Sequence, residues 1–501
     1  MSGLLDTLLP IALGATVFAG ISSRHDVAVP GWRPRGRRRD RGARWARRSD
    51  LGPLLTGRGV PTVGRLTLGT VGGAVHRSRV VSEAGQSVVV VGPTQSGKTT
   101  ALAVPAIMAW EGPVVAASVK SDLLRHTLGR RSACGRVWCI DPTGSTGHPT
   151  SGWSPLTDCA EWAVARRMAF DLAETAKSDT TTSDGEFWYA TAAKLLAPLL
   201  FAAARDNRSM VDVVRWVDTQ EVSEVSFILE QAGVPEALDA ARASWCRDER
   251  TRSSVYTTAE TVLAPFIPLA TGAPPQSWFD ARVLLGGSNT LYLCAPAHDQ
   301  RRLRGYFNAL THQVLSQAFT FATFRGRPLH PPLLVVLDEA AHIAPLPELD
   351  GLAATCASHG IQLVTVWQDL AQVRARYGSR APTVLNNHRA KLFLPGIADP
   401  DTLEYASRLI GEEEVSQPSV TRDRQGGRST TTATGPRRLL PPEDLRCLQR
   451  GEAVLVYGSL PPVRLRLRPW WAELHGRHGA ARRRARRLLL GGPPSRDPKA
   501  Q

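Results

Sequence analysis

A phosphate-binding motif follows the apolar run at residues 87–91. From Gly92 onward the sequence fits the pattern G-x-x-x-x-G-K-[ST], between a predicted strand and a predicted helix. Small residues in such a loop let backbone N–H groups surround phosphate oxygens, and the amino end of the helix adds partial positive charge. We expect Lys98 to reach the β- and γ-phosphates of ATP and the Thr99 hydroxyl to bind Mg²⁺. The predicted nucleotide-binding residues are Gly92, Pro93, Thr94, Gln95, Ser96, Gly97, Lys98, Thr99 and Thr100.

An acidic pair ends a second apolar run. Asp338 and Glu339 directly follow the apolar residues 333–337. Ligands of open α/β sheets bind at the carboxyl ends of the strands, so this pair should lie beside the phosphate-binding loop. Asp338 suits the Mg²⁺ shell, and Glu339 suits polarisation of the attacking water. The loop and the pair together predict an ATPase.

Gln368 comes directly after a further apolar run, IQLVTVW. An amide at that position could hydrogen-bond the γ-phosphate or the attacking water and report its loss to moving elements. The alternative is a surface glutamine at a strand end. Three histidines lack the clustered spacing of a metal site, so we expect surface or hydrogen-bonded side chains. They are His342, His359 and His388.

Short apolar runs alternate with amphipathic stretches from Arg65 onward, which is typical of a mainly parallel sheet covered by helices. The predicted buried strands are residues 87–91, 114–119, 137–140, 290–294, 333–337 and 362–366. Between residues 153 and 273, apolar residues recur at helical spacing with few β-rich runs among them. The predicted fold class is therefore α/β, with an all-α insertion between two parts of the sheet. The alternative is that these helices only cover the sheet.

The net charge of +16 is concentrated in two segments. Residues 24–50 hold ten Arg against three Asp, and residues 464–501 hold ten Arg and one Lys against one Glu and one Asp. The rest of the chain is neutral. Basic segments of this kind bind anionic polymers or lipid headgroups, because phosphate neutralisation releases counterions. The alternative is that they only increase solubility.

The cysteines and the first residues indicate where in the cell the protein is located. The seven cysteines are odd in number and lack C-x-x-C pairs, so we expect neither a disulfide framework nor a zinc site, and a reducing cytosol fits. Residues 3–21, as a helix of about 28 Å, would match a hydrocarbon core of about 30 Å. With the Arg-rich segment after it, such an anchor would leave the body in the cytoplasm. The alternatives are a packed helix or a disordered start.

Two features are predicted near the end of the chain. Residues 416–438 are rich in Ser, Thr, Gly and Arg, and we expect them to form a mobile loop. The stretches EAVLVYG and VRLRLRPWW then predict a closing hairpin, with residues 460–462 between its strands.

Four stretches resemble the type IV coupling proteins, the TraG/TraD-like conjugative ATPases. They are VVVVGPTQSGKTT, GRVWCIDPTGSTGHPTSGWSPL, LLVVLDEAAHIAPLPELDGLAATCASHGIQLVTVWQDLAQVRARYG and RRLLPPEDLRCLQRGEAVLVYG, and the likeness runs from about Leu66 to Trp471. The resemblance implies a RecA-like P-loop domain with an inserted all-α domain and six subunits around a channel. It also implies ATP-driven movement of DNA or nucleoprotein to a secretion machine.

The resemblance also assigns site residues by position. Lys98 and Thr99 match the Walker A pair. Asp338 and Glu339 match the Walker B pair, and Gln368 matches the sensor glutamine. Family members often carry an arginine just before the sensor strand, where this sequence reads CASHG. The candidates for an arginine finger are therefore Arg374, Arg376 and Arg389.

We predict six parts of the chain. They are a membrane anchor (1–23), an Arg-rich linker (24–64), the first part of the nucleotide-binding domain (65–152), an all-α inserted domain (153–273), the second part of the nucleotide-binding domain (274–471) and a basic tail (472–501). The implied partners are single-stranded DNA with relaxase cargo, the type IV secretion machinery and further copies in a hexamer at the cytoplasmic side of the membrane. Two alternative functions stay open: an adaptor that uses ATP as an assembly switch, and an FtsK-like pump for double-stranded DNA.

Overall fold

The computed structural model describes residues 42–56, 63–72, 77–177, 183–269, 278–296, 298–341, 346–422 and 428–472. From Gly42 onward, the described residues group into one compact unit. The predicted anchor, the first part of the Arg-rich linker, His342 and the basic tail beyond residue 472 lie outside the described residues.

Strands of the described ranges form two sheets. They are β1 (Leu55–Thr56), β2 (Thr67–Val71), β3 (Ser78–Val81), β4 (Val88–Val91), β5 (Val114–Ser118), β6 (Val137–Ile140), β7 (Thr290–Cys294), β8 (Leu333–Leu337), β9 (Ile361–Trp367), β10 (Ala390–Phe393), β11 (Glu412–Arg422), β12 (Arg428–Arg438), β13 (Glu452–Tyr457) and β14 (Val463–Arg466). The large sheet has the order β1-β3-β2-β14-β13-β10-β4-β9-β8-β5-β7-β6. Its strands from β10 to β6 run parallel, and the others pair antiparallel.

The parallel strands are buried on both faces, which explains their continuous apolar runs. Alternate residues of β4 enter different cores: Val89 and Val91 join the core on one face, and Val88 and Val90 join the core on the other. All six predicted strands are confirmed, with their ends within one residue of the prediction. The strands β13 and β14 also confirm the predicted closing hairpin.

The described helices surround the sheet. They are α1 (Val104–Ala109), α2 (Asp122–Ser132), α3 (Trp162–Ala176), α4 (Ser183–Arg205), α5 (Met210–Asp218), α6 (Ser223–Ala232), α7 (Pro235–Trp245), α8 (Glu249–Leu263), α9 (Ala281–Leu285), α10 (Gln300–Arg325), α11 (Leu349–Thr355), α12 (Leu370–Tyr377), α13 (Ala381–Asn387), α14 (Pro400–Ile410) and α15 (Pro442–Arg446). Short 3₁₀ turns occur at Arg48–Leu54, Pro155–Asp158, Ala264–Leu269, Cys356–His359 and Gly378–Arg380.

The region between β6 and β7 is helical, as predicted. Helices α3 to α8 fill most of it, and their apolar faces form one continuous core with Val89 and Val91 of the sheet. In the described residues these helices contact mainly one another, α10 and the adjacent 3₁₀ turns. A separate domain with the boundaries 153–273 stays a prediction.

Helix α4 contains the segment Gly185–Arg205, which is long and apolar enough to cross a membrane. Within the described ranges it is the helix that passes this test of length and composition, and 67% of its most apolar window is buried inside the protein. Leu196 and Leu200 are fully buried in the shared core. The apolar length of α4 is thus explained by core packing.

The prediction that residues 416–438 form a loop is wrong for the part of this segment that the structure describes. Strands β11 and β12 pair along their length in an antiparallel ribbon, from Glu412 opposite Arg438 to Arg422 opposite Arg428. The segment has few apolar residues, but it is rich in Thr, and β-branched residues favour strands. Low hydrophobicity was therefore a poor guide to backbone structure at this place.

Part of the predicted linker is folded. Residues 48–56 form a 3₁₀ turn and β1, which pairs with β3 at the sheet edge. Leu51 and Leu54 are buried in the second core. The Ala43 N–H donates to the Glu412 carbonyl at 2.6 Å, which ties this segment to the base of the β11–β12 ribbon. Because the region is rich in arginine, its sequence did not indicate that these two leucines belong to the core.

A buried arginine joins α2 to the amino ends of two strands. The Arg131 Nε donates to the Thr290 hydroxyl at 2.7 Å, and Nη1 donates to the Trp110 carbonyl at 2.6 Å. Its Nη2 donates to the carbonyls of Gly112 at 2.8 Å and Ser288 at 3.0 Å. The side chain is fully buried, so these carbonyls have no access to water through that space.

We expect Arg131→Met to lower the free energy of unfolding by about 3–5 kcal/mol, because it leaves several buried carbonyls without donors. The exposed neighbour Arg130 is the matched control, and Arg130→Met should change this free energy by less than about 0.5 kcal/mol. Urea denaturation of both variants measures the difference. Equal losses of unfolding free energy in the two variants would show that the hydrogen bonds of Arg131 do not stabilise the fold.

Candidate nucleotide-binding site

The loop after β4 has the backbone of a phosphate-binding loop. The Gly92 N–H donates to the Trp367 carbonyl at 3.0 Å, which holds the start of the loop against β9. A Cβ at Gly92 would lie 2.7 Å from the Leu394 Cβ, so a side chain is excluded there. Gln95 and Gly97 have φ of +64° and +99°, which curl the backbone before the following helix. The backbone is therefore shaped to surround an anion.

The helix after the loop begins with a wide turn. Residues Thr99–Ala103 form a π-type turn, in which the Val104 N–H donates to the Thr99 carbonyl. Pro105 has no N–H for the Ala101 carbonyl, which favours this departure from regular α-helix. Lys98 and Thr99 therefore lie at the amino end of this turn, which continues into α1, and next to the loop.

The structure brings the two predicted motifs together. The Asp338 N–H donates to the Ala117 carbonyl of β5 at 2.9 Å, so the end of β8 is held by its neighbour. The Thr99 hydroxyl donates to Asp338 Oδ2 at 2.8 Å. Asp338 Oδ1 is buried without a hydrogen-bond partner among the described residues. A hydroxyl beside a carboxylate oxygen with a free lone pair is a donor set that suits Mg²⁺.

The charges around Asp338 are close and only partly exposed to water. Burial raises the pKa of Asp338 to about 6, and the Glu339 charge adds to the rise. The hydrogen bond from Thr99 and the charge of Lys98 act in the opposite direction. The Asp338 side chain is 4% exposed. A cation bound beside it would therefore relieve an unfavourable buried charge.

Lys98 lies within the loop. Its Nζ donates to the Gly92 carbonyl at 3.0 Å, and the side chain is 6% exposed. Burial lowers the pKa of the Lys98 ammonium, while Asp338 and Glu339 raise it. The ammonium and the two carboxylates are thus close enough for their charges to interact.

Glu339 has a strained backbone. Its φ is +63°, in the left-handed region that non-glycine residues seldom adopt. The neighbouring Ala340 N–H donates to the Val366 carbonyl of β9 at 3.1 Å, which holds the turn. Strain of this kind often occurs at functional sites, where the surrounding structure enforces it.

Gln368 lies at the same sheet edge, directly after β9. Because β9 is between β4 and β8, Gln368 is placed between the phosphate-binding loop and Asp338. Its backbone N–H donates to Gln372 Oε1 at 3.0 Å. The position fits the predicted sensor, and the role itself stays a prediction.

Sequence reasoning missed two charged residues at this edge. Lys120 follows β5, and its positive charge favours the ionised form of Asp338 and disfavours the charged form of Lys98. Asp369 caps α12 by accepting from the Gln372 N–H at 2.9 Å, and its charge raises the pKa of Lys98. A charged residue soon after a buried strand was the signal in the sequence. It shows which residues lie near the site only when the order of the strands in the sheet is known.

Two of these three histidines, His359 and His388, lie in the described residues beside hydrogen-bonding groups. The fully buried His388 ring contacts the Val384 carbonyl at 2.7 Å and the Thr365 hydroxyl at 3.1 Å, and burial lowers the pKa of His388 to about 4. His359 lies near the Thr355 carbonyl, at 3.0 Å. The described parts of the chain contain no group of three or more His, Cys, Asp and Glu side chains that could hold a metal ion by themselves.

Two of the three arginine candidates, Arg374 and Arg389, form ion pairs outside the site. Arg374 pairs with Asp401. Arg389 pairs with Glu83 at 3.0 Å and directly precedes β10, at the amino edge of the parallel strands. Burial lowers the pKa of Arg376. An arginine finger acting on a neighbouring subunit stays a prediction.

Sequence comparison gives a family match over most of the chain. The model described as Type IV secretory system Conjugative DNA transfer matches residues 44–484. The chain is 24% identical over 438 residues to the conjugal transfer protein TraG of Escherichia coli, covering 78% of this chain and 67% of that protein. It is 24% identical over 400 residues to VirD4 of Rhizobium rhizogenes, covering 75% and 57%. The chain thus spans about two thirds or less of the length of these relatives.

Solved structures share the fold. The bacterial conjugative coupling protein TrwBdeltaN70, in an unbound monoclinic form, superposes with a TM-score of 0.62 at 18% identity, covering 85% of this chain and 93% of that one. The plasmid coupling protein TrwB in complex with ADP and Mg²⁺ gives a TM-score of 0.57 at 20% identity, covering 77% and 85%. The chain therefore has a RecA-like P-loop fold with a mainly parallel sheet, as predicted.

We expect Gly97→Ala to lower the free energy of unfolding by roughly 1–3 kcal/mol and to weaken nucleotide binding, because a Cβ disfavours φ of +99°. Among the described residues the added Cβ meets only the Ala101 Cβ, at 3.9 Å, so the loss comes from the backbone conformation.

The matched control is Gly129→Ala in α2, where a Cβ meets no atom of the described ranges within 4 Å. Helix propensity should make that variant more stable by about 0.5–1 kcal/mol. Chemical denaturation without nucleotide compares the two. A Gly97→Ala protein as stable as the parent would show that the loop does not need glycine.

Proposed function

The chain belongs to the type IV secretory system conjugative DNA transfer family, and from that premise we propose that it is an ATP-hydrolysing motor that moves DNA or nucleoprotein toward a type IV secretion machine. The observation that carries the proposal is the contact between Thr99 and Asp338 at 2.8 Å. It joins a phosphate-binding loop to a carboxylate whose second oxygen is buried and free to bind a cation.

The proposed reaction is hydrolysis of the terminal phosphoanhydride of ATP. Water adds to the γ-phosphorus, the bond to the β,γ-bridging oxygen breaks, and ADP and inorganic phosphate leave. Glu339 orients the water and accepts its proton. Lys98 binds the β- and γ-phosphates, and Gln368 senses the γ-phosphate.

The residues also fit Mg²⁺ as the cofactor. Thr99 and Asp338 would hold the ion, and bound Mg²⁺ supplies positive charge that neutralises phosphate oxygens. The solved TrwB complex with ADP and Mg²⁺ supports this assignment, since it has the same fold. The free Asp338 Oδ1 supports it from this chain alone.

The proposal extends to partners and location. We place the working form as a ring of six copies at the cytoplasmic side of the membrane, with DNA and relaxase cargo as substrate and the secretion machinery as partner. Family membership supports this arrangement, and so do the basic segments at residues 24–50 and 464–501. The Arg-rich segment after residues 3–21 supports the orientation of an anchor there.

We expect Glu339→Gln to keep ATP binding and to lower the steady-state rate of phosphate release at least about 100-fold, because the amide cannot accept the proton of the attacking water. DNA should stimulate the parent enzyme. Phosphate release, measured with and without single- and double-stranded DNA, tests both statements.

The exposed Glu236 of α7 provides the control, and Glu236→Gln should match the parent rate. Turnover by Glu339→Gln at the parent rate would remove Glu339 from the mechanism. A parent protein that binds ATP but releases no phosphate with any DNA would favour an ATP-switched adaptor. Stimulation by duplex alone would favour a double-stranded DNA pump.

Removal of residues 473–501 takes away seven Arg and Lys499. We expect weaker DNA binding and a shallower dependence of log K on log salt, by about 0.7 for each phosphate of a single strand that the shortened protein no longer neutralises. Fluorescence anisotropy over a series of salt concentrations measures the slope. An unchanged slope would show that the tail does not touch DNA.

A further inference from the structure

Charged residues follow four neighbouring parallel strands at one edge of the sheet. In spatial order, β4 leads to Lys98, β9 to Asp369, β8 to Asp338 and β5 to Lys120. The carboxyl ends of these strands share an edge because the strands are parallel and in register. The site therefore has a cation on each side, one after β4 and one after β5.

The backbone holds Lys120 close to the acidic pair. Ala117 lies opposite Leu337 in the β5–β8 ladder, and the Ala117 carbonyl accepts from the Asp338 N–H at 2.9 Å. Lys120 is three residues beyond Ala117, and its own N–H donates to the Ser118 hydroxyl at 3.3 Å. The turn ends where α2 begins, so the chain around Lys120 is held at both ends.

The Lys120 ammonium is available to a ligand. The side chain is exposed, and within the described residues it forms no ion pair or hydrogen bond. Burial has the largest effect on the pKa of Asp338 and of Lys98, and the charge of Lys120 has a smaller effect on both. An exposed cation this close to a phosphate-binding loop lies within reach of what the loop binds.

The charge balance of the site favours a second cation. Lys98 faces the carboxylates of Asp338, Glu339 and Asp369. A bound triphosphate would add about four negative charges and Mg²⁺ two positive ones. One ammonium leaves a large negative excess, and the phosphate farthest from the loop gains most from a cation on the far side.

We propose that Lys120 is a second phosphate-binding cation, which contacts the terminal phosphate of a bound nucleoside triphosphate from the β5 side while Lys98 binds from the β4 side. This rests on the proposed nucleotide site and adds a residue that distinguishes the triphosphate from the diphosphate. Lys98 binds the phosphates of both nucleotides. Lys120 binds the γ-phosphate, which the triphosphate carries and the diphosphate lacks.

The test compares the affinities of ATP and ADP, both with Mg²⁺, for the full chain and its variants. Lys120→Gln should weaken ATP binding about tenfold and change ADP binding less than about twofold, because ADP lacks the phosphate that Lys120 contacts. Lys120→Arg should restore ATP affinity to within about threefold of the parent, because it keeps the charge. Isothermal titration calorimetry measures all of these affinities.

The control is Arg125→Gln, which removes an exposed cation one turn into α2. It should bind ATP and ADP like the parent. The thermal midpoint of each variant without nucleotide should also match the parent, because both side chains are exposed.

Two results would overturn the inference while the proposed function stands. One is a Lys120→Gln protein that binds ATP like the parent. The other is an equal loss of affinity for ATP and ADP, which would show general attraction of anions by a surface charge. If the parent bound neither nucleotide, the proposed function and this inference would both fail.

Discussion

The hydrogen bond from the Thr99 hydroxyl to Asp338 joins residues 239 positions apart in the chain. It forms only if β4 and β8 end at the same edge with β9 correctly placed between them. The ladders β4–β9 and β9–β8 are parallel and in register, and their residues are buried on both faces. Core packing therefore sets the geometry of the site.

The same edge carries features that oppose folding. Asp338 is a carboxylate in a buried position, and Glu339 has a left-handed backbone. Each is unfavourable alone, and each persists because hydrogen bonds to β5 and β9 hold the chain on either side. A bound cation would offset the first of these. The site is thus arranged so that ligand binding relieves electrostatic strain that the fold itself imposes.

Much of this arrangement follows from sequence, because long apolar runs identify buried strands and the residues after them. Lys98, Asp338 and Gln368 were placed at the correct edge in that way. Lys120 was missed because β5 is next to β8 only in three dimensions, and no local pattern reveals that neighbour. The β11–β12 ribbon and the folded residues 48–56 were missed for a different reason. The ribbon segment is polar, so its β-branched residues were not recognised as strand residues. Residues 48–56 follow many arginines, so Leu51 and Leu54 were not recognised as core residues.

In the proposed site one carboxylate, that of Asp338, holds the metal that accompanies the nucleotide. Titration of ATP in the presence of Mg²⁺ and again with a chelator, on the parent and on Asp338→Asn, tests it most directly. We expect Mg²⁺ to strengthen ATP binding to the parent at least about tenfold and to have little effect on ATP binding to the variant. An Asp338→Asn protein whose ATP affinity still rises with Mg²⁺ as much as that of the parent would contradict it.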